Sequence, residues 1–348
     1  MSIKSPNKVR TVISRKETIY IVLFFFFVLA LLIFTFFFPN YYKIQKPVTL
    51  EVKKGQTLSQ VVDSLYSKEI IPNKTNMKIA AILYGAERKV KAGRYNIPNG
   101  LSYLQLVELL IEGSPDPEVL ITLGEGIWQT DLAKLLKENF GIDSVKVMEL
   151  SKSRSFLNAL GIAADNLEGY LLPETYYFYA HSTIEEILRK LSDQMNKIFN
   201  DTKVVERMKE LKMSKHQILT LASIIDAESN LFPEFKTISG VYHNRLRKGM
   251  LLQADPTVQY LIRDRRKNKI YFKDLEIDSK FNTYKYPGLP PTPINNPGRD
   301  AIMAALYPEK HNYYYFVADG NGGHNFSSNY FDHSKNVMRY REWRATQN

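Results

Sequence analysis

The residues best placed to do chemistry lie between Ser214 and Tyr260. Apolar residues recur at Ile218, Leu221, Ile224 and Ile225, the spacing of one buried helical face. Glu228 follows Ile225 by three positions and Ile224 by four, so the spacing predicts that it continues that face. A carboxyl group taken out of water resists ionisation, because desolvation disfavours the charged form. That is the condition a general acid needs near neutral pH. Ser214, with Gln217 three positions later, forms the capping-box pattern that starts such a helix. Asn244, Arg245, Gln253, Asp255 and Thr257 follow, a polar set not typical of a plain core. These residues leave two readings of Glu228 open: an acid catalyst, or a helix-end carboxylate that reaches water.

Other chemistries are excluded or weakened by composition. The chain of 348 residues has no cysteine, so disulfides, thiol nucleophiles and thiolate metal sites are ruled out. Its six histidines show no HExxH or comparable ligand spacing, so no metal and no cofactor is expected. The glycine-rich turn before His324 lacks the Lys-Ser/Thr of a phosphate loop, which argues against nucleotide binding. With 47 basic and 36 acidic residues the formal charge is +11, compatible with an anionic polymer or a membrane surface as partner. The only dense basic run, Arg263 to Lys269, reads as a solvated loop, and nucleic acid is not the expected partner. A hydrophobic fraction of 44% is that of a globular protein, and the length allows two or three domains or an anchor with a larger globular part.

The elements that must position Glu228 can be taken in order. Residues 1–18 carry Lys4, Lys8, Arg10, Arg15 and Lys16 against one acid, Glu17. Ile19 to Phe38 is uncharged and almost wholly apolar, long enough to cross a bilayer, with Tyr20, Tyr41 and Tyr42 where interfacial aromatics belong. No small residues precede a cut site, so an uncleaved anchor is expected. The basic flank favours a cytoplasmic N-terminus with everything after Pro39 outside, although Lys43 and Lys46 add positive charge on the far side. After a linker over 39–47, strand, helix, helix and strand are predicted between Gln45 and Pro98, with Thr57 as N-cap and Val61, Val62 and Leu65 inward. That order makes a small α+β module over 48–117, similar to LysM modules in its GQTL and AGRY signatures.

The remainder, 118–348, reads as a larger mixed α+β domain. A strand is predicted over Val119–Leu123 and a helix over Gln129–Leu136. The segment LEGYLLPETYYF, Leu167 to Phe178, then sets Glu168, Glu174 and several aromatics on a loop or strand end, the types that line a sugar groove. Helices are expected over Ser182–Lys197, Asp201–Met213 and Asp300–Leu306, and a short strand over Ile270–Phe272. Between Phe281 and Gly298 five prolines forbid regular structure while fixing an extended path, and a long stiff loop of this kind is usually functional.

Several of these segments, in this order, resemble one family: EGYLLPETY from Glu168, LASIIDAES around Glu228, NRLRKGMLLQADPTVQY from Asn244, NTY at Asn282, GLPPTPINNPG from Gly288 and YFVADGNGGHNF from Tyr315. It is the YceG-like, or MltG-type, endolytic murein transglycosylases, and the resemblance runs from about Val48 to Val337. It implies an α+β catalytic domain behind a membrane anchor, cutting peptidoglycan glycan strands internally, outside the cytoplasmic membrane, to leave 1,6-anhydro-muramyl ends. Carried over by position, Glu228 matches the catalytic glutamate of an Ile-Glu-x-Glu pattern. This chain departs from that pattern with Asp226 as the first acid, which two-residue spacing puts on a nearly opposite helical face. Glu168, Glu174, Asn244, Arg245, Gln253, Asp255, Thr257 and Asn282 match positions expected to line the groove, with individual roles left open. The family also implies a link to peptidoglycan synthases and a role in ending or trimming nascent strands. Two alternatives stay open at this point: a hydrolytic muramidase, and a glycan-binding scaffold without turnover.

Overall fold

The computed structural model describes residues 14–41, 47–86, 89–263 and 270–347. Lys4, Lys8, Arg10, Tyr42, Lys43, Lys46 and residues 264–269 of the basic run lie outside the described residues. Ser14 and Glu17 exchange the two bonds of a capping box and open α1 (Arg15–Phe37), which is long and apolar enough to cross a membrane. At 1.5 Å per residue it spans about 34 Å, against about 30 Å of bilayer hydrocarbon.

Two compact units follow from the packing, Met1–Glu118 and Val119–Asn348. In the first, β1 (Val48–Val52), α2 (Leu58–Ser67), α3 (Lys74–Leu83) and β2 (Gly93–Ile97) give the expected strand–helix–helix–strand order. β1 and β2 pair antiparallel, Val48 opposite Ile97 and Val52 opposite Gly93. Their alternation turns Leu50, Val52, Tyr95 and Ile97 onto the helices. Capping boxes at Thr57 and Ser102 start α2 and α4 (Tyr103–Ile111), whose Leu65, Leu106 and Leu110 complete the core. Phe36, at the end of α1, meets the Tyr103 ring edge-on at 6.4 Å between centroids.

In the second unit β3 (Glu118–Thr122) leads to α5 (Gln129–Phe140), α6 (Ser144–Lys152), α7 (Arg154–Ala159) and β4 (Thr175–Tyr179), and β4 pairs with β3. Next come α8 (Ile184–Phe199), α9 (Thr202–Leu211), α10 (Lys215–Glu228), α11 (Phe235–Lys248) and α12 (Asp255–Ile262). After the proline loop stand α13 (Arg299–Leu306), the antiparallel hairpin of β5 (Tyr315–Ala318) and β6 (His324–Ser327), and α14 (Tyr330–Thr346). The Ser214 capping box is present at the start of α10. This helix is buried all round, Leu219 and Ala222 as fully as Ile218, Leu221, Ile224 and Ile225. The single apolar face read from spacing is therefore only part of its contact surface. Small residues Ala301, Ala304 and Ala305 let α13 pack against this unit's core, to which α10 also belongs.

One predicted strand is absent. Ile270–Phe272 leads instead into a 3-10 turn, Phe272–Glu276, because the Asp274 carboxylate accepts the Tyr271 N–H at 2.9 Å and closes the chain locally. Phe272 is left 88% exposed, with no sheet to cover it.

The proline loop is irregular, as five prolines require, yet its end is deeply anchored. Ile294 N–H donates to Ser223 Oγ, and Asn295 Nδ2 to Ser223 O, both at 3.0 Å, tying the loop to the middle of α10. Asn296, fully buried, joins three segments. Its Oδ1 accepts from Gly169 N–H (2.9 Å) and Leu171 N–H (3.2 Å), while Nδ2 donates to Ile127 O and Glu168 Oε1, each at 3.0 Å. Gly169 has φ +85°, and a Cβ there would meet Pro293 at 2.3 Å, so only glycine lets the two loops lie this close.

Replacing Asn296 by alanine strands the buried N–H groups of Gly169 and Leu171, while Ile127 O keeps its bond from the backbone N–H of residue 296. At about 1–3 kcal/mol per orphaned group, we expect the Asn296→Ala variant to lose about 3 kcal/mol, read as a fall of about 6–12 °C in the Tm of the full chain in detergent micelles. A fall under about 2 °C would show that the three segments hold without it.

Candidate active site

Glu228 is the last residue of α10, where the chain leaves the buried helix and meets solvent. Two cavities meet at this residue. One, of about 550 Å³, is lined by Trp128, Asp255, Gln259 and Asn295 among others; the second, of about 480 Å³, by Ser229, Gly320, His324 and Trp343. Ala227 and Glu228 line both. The acid thus stands half-buried where two open cavities meet.

Its protonation is set by opposing effects. Burial pushes the Glu228 carboxyl up to about 7, the hydroxyl of Tyr242 holds it down by donating to Oε1, Asp255 raises it and Arg245 lowers it. The position adds to the upward push, since a helix C-terminus carries partial negative charge. Tyr242 lies on the buried face of α11, 0% exposed, its ring set edge-on to Phe316 of β5 at 5.9 Å. Held there, its hydroxyl is fixed on the carboxylate.

Asp226 does not share the groove. Its carboxylate accepts from Gly298 N–H at 3.1 Å, at the start of α13, and burial pushes it up to about 7. The opposite-face placement expected from two-residue spacing is what separates it from Glu228.

The other residues picked from sequence fall into distinct places. Asp255 lines the first cavity with Glu228, in the first turn of α12, and accepts from the Tyr284 hydroxyl at 2.5 Å. Gln253 is exposed with φ +49°, in the turn leading to α12, its N–H bonded to Thr283 O. Five others are buried and committed to bonds within the protein. Glu168 accepts from Gln129 N–H and Asn296, and burial pushes it up to about 8. Asn244 donates to His311 O and Tyr313 O, and Arg245 to Tyr314 O and Leu252 O. Thr257 caps back onto Ala254 O, and Asn282 donates to Leu275 O and Ile277 O. These side chains shape the groove by holding its loops. Glu174 pairs with Arg299 at 3.1 Å and fastens β4 to the start of α13.

Sequence reading did not pick out Tyr242, Tyr284, Trp128, Asn295, Arg344 or Trp343. A signal existed for Tyr242, which stands at i and i+4 from Ile238 on a buried face. A tyrosine so placed needs a partner for its hydroxyl. For the others the connection is tertiary. Among the described residues no group of three or more His, Asp or Glu side chains could hold a metal ion.

A family model described as the YceG-like family matches residues 50–339. The endolytic murein transglycosylase of Bacillus subtilis (strain 168) is 32% identical over 308 residues, 84% of each chain. A protein of the same name from Streptococcus pneumoniae serotype 2 is 28% identical over 326 residues, covering 85% of this chain. The match spans only 59% of that longer streptococcal protein. Among solved structures, a YceG-like protein from Listeria monocytogenes is similar with TM-score 0.57 and 31% identity, over 84% of this chain and 99% of that one.

The Tyr242 bond stabilises the ionised form of Glu228, so removing it must raise the carboxyl further. A hydrogen bond to a charged group is worth about 1.5–3 kcal/mol, so Tyr242→Phe should move the Glu228 titration midpoint up by about one to two pH units. Carboxyl 13C NMR, with Glu228→Gln to assign the signal, reads this directly. An unmoved midpoint would show that the hydroxyl does not control the acid.

Proposed function

The chain belongs to the YceG-like family, and on that premise we propose that it is a membrane-anchored endolytic lytic transglycosylase of peptidoglycan. The observation that carries the reading is Glu228 itself: a carboxyl pushed up to about 7, fixed by Tyr242, where two open cavities meet. A group with that protonation equilibrium is suited both to give a proton and to take one back near neutral pH.

In this mechanism the protonated Glu228 donates to the glycosidic oxygen between N-acetylmuramic acid and N-acetylglucosamine. Its carboxylate then removes the proton from the muramyl 6-hydroxyl as that oxygen bonds to the anomeric carbon. The bond to the leaving sugar breaks, the 1,6-anhydro ring closes, and Glu228 returns to its starting form. Because the nucleophile belongs to the substrate, one carboxylate suffices and no cofactor is needed. Asp255 raises the proton affinity of Glu228 from the same cavity, and Arg245 offsets part of that effect. The loops braced by Glu168, Asn244, Thr257 and Asn282 keep the groove open, Glu174 steadies it through Arg299, and Gln253 stands exposed at its side. α1 supplies the anchor, with the N-terminus in the cytoplasm and the groove on the outer side of the inner membrane. A place beside the peptidoglycan synthases, ending or trimming nascent strands, is what the family resemblance suggests.

Asp255 favours one other reading. A hydrolase on the same groove would use a second carboxylate about 5–5.5 Å away for retention or 6.5–9.5 Å for inversion, and Asp255 is the carboxylate that shares the cavity.

Product analysis decides. The full chain in detergent micelles should convert purified glycan strands to products with anhydro-muramyl ends, read by mass spectrometry. Glu228→Gln should lower the rate on the order of 10²–10⁴-fold. The rate should also fall as pH rises through about 7, where the acid loses its proton. Reducing ends in place of anhydro ends would establish hydrolysis, and undiminished cleavage by Glu228→Gln would remove Glu228 as the acid.

A further inference from the structure

The chain has only two tryptophans, and each lines one of the cavities that meet at Glu228. Trp128 stands at the N-cap of α5, half-buried, on the side of Asp255. On the other side Trp343, from the last turns of α14, is 37% exposed and stacked on Tyr340 at 5.7 Å with 21° between the rings. Tyr340 and Trp343 lie beyond residue 339, where the family match ends.

Trp343 is held as a platform rather than left as a loose surface ring. Gly320 lies against its indole, and a Cβ there would sit 2.5 Å from the ring, with φ +93° besides. The turn carrying Gly320 is itself locked. The Asp319 carboxylate accepts from Asn321 N–H (2.7 Å) and Gly323 N–H (3.0 Å), and Glu234 accepts from His324 N–H (2.9 Å). A flat apolar ring, fixed and partly uncovered beside an open cavity, suits the face of a pyranose, whose axial C–H groups pack against it.

We infer that Trp128 and Trp343 are the two saccharide platforms of the groove, one on each side of the bond cut at Glu228. The inference rests on the glycan reading above and adds to it which residues grip the strand. A strand engaged by both rings must continue past the cut in both directions. The arrangement therefore selects internal bonds over terminal ones, and it makes the C-terminal helix part of the substrate-binding wall.

Intrinsic fluorescence separates the two platforms, because each single replacement leaves one reporter. In the full chain carrying Glu228→Gln, in detergent micelles, Trp343→Phe isolates Trp128 and Trp128→Phe isolates Trp343. Titration with purified uncrosslinked glycan strands should change both emissions with a common midpoint. In the otherwise wild-type chain, Trp343→Ala should raise KM for strands about three- to tenfold, with Trp343→Phe recovering most of the loss. Silence of either tryptophan on saturation with strands, or an unchanged KM in Trp343→Ala, overturns the inference. Should both tryptophans report binding while the wild-type chain leaves strands uncut, the platforms stand and the catalytic reading falls. Should the wild type cut while one tryptophan stays silent, the reverse holds.

Discussion

The contact on which the groove depends is between the Tyr242 hydroxyl and the Glu228 carboxylate. A carboxyl at the C-terminal end of a helix, half out of water, is pushed toward its neutral form by burial and by the helix dipole together. Unopposed, that push would leave a carboxylic acid too weak to release its proton. Tyr242 opposes it from a fully buried position, and the ring has little freedom because α11 holds one side of it and Phe316 the other. The balance is therefore struck by packing.

Around that pair the loops are tied by amide side chains. Asn244, Asn282 and Asn296 each bond backbone groups of segments that have no regular partner, and Asn295 donates to Ser223 O in the middle of α10. An asparagine carries a donor and an acceptor on one short arm, so it can complete backbone pairing where neither helix nor strand can run. Of these, the sequence pattern exposes Asn244 and Asn282 as polar and out of place. Their role is to replace missing secondary structure.

That distinction explains how far sequence carried. Local rules reached the helices with strong boundaries: Ser214 with Gln217, Thr57 as an N-cap and the apolar run from Ile19 all lie in helices where the sequence placed them. The proline loop was legible because proline restricts its own backbone wherever it occurs. Ile270–Phe272 went the other way, since Asp274 offered a closer partner than any strand. Spacing alone set Glu228 at the end of a buried helix and left its role open, and its surroundings could not be read. Whether a buried polar residue lines a cavity or fastens a wall depends on segments up to 169 positions apart, as Asn296 and Ile127 are. No periodicity encodes such a separation. α14 was invisible for a related reason: with no residue fully buried, it has no apolar stripe to betray it.

The proline loop has a consequence in the state where none of these contacts exists. Pro287, Pro290, Pro291, Pro293 and Pro297 narrow the conformations open to this segment before the chain folds. The disorder surrendered when it settles against α10 is correspondingly small. A stretch without helix or strand can thus be held in one shape by a few bonds from Ser223, Asn295 and Asn296. The stiffness of the groove is in this sense inherited from the unfolded chain.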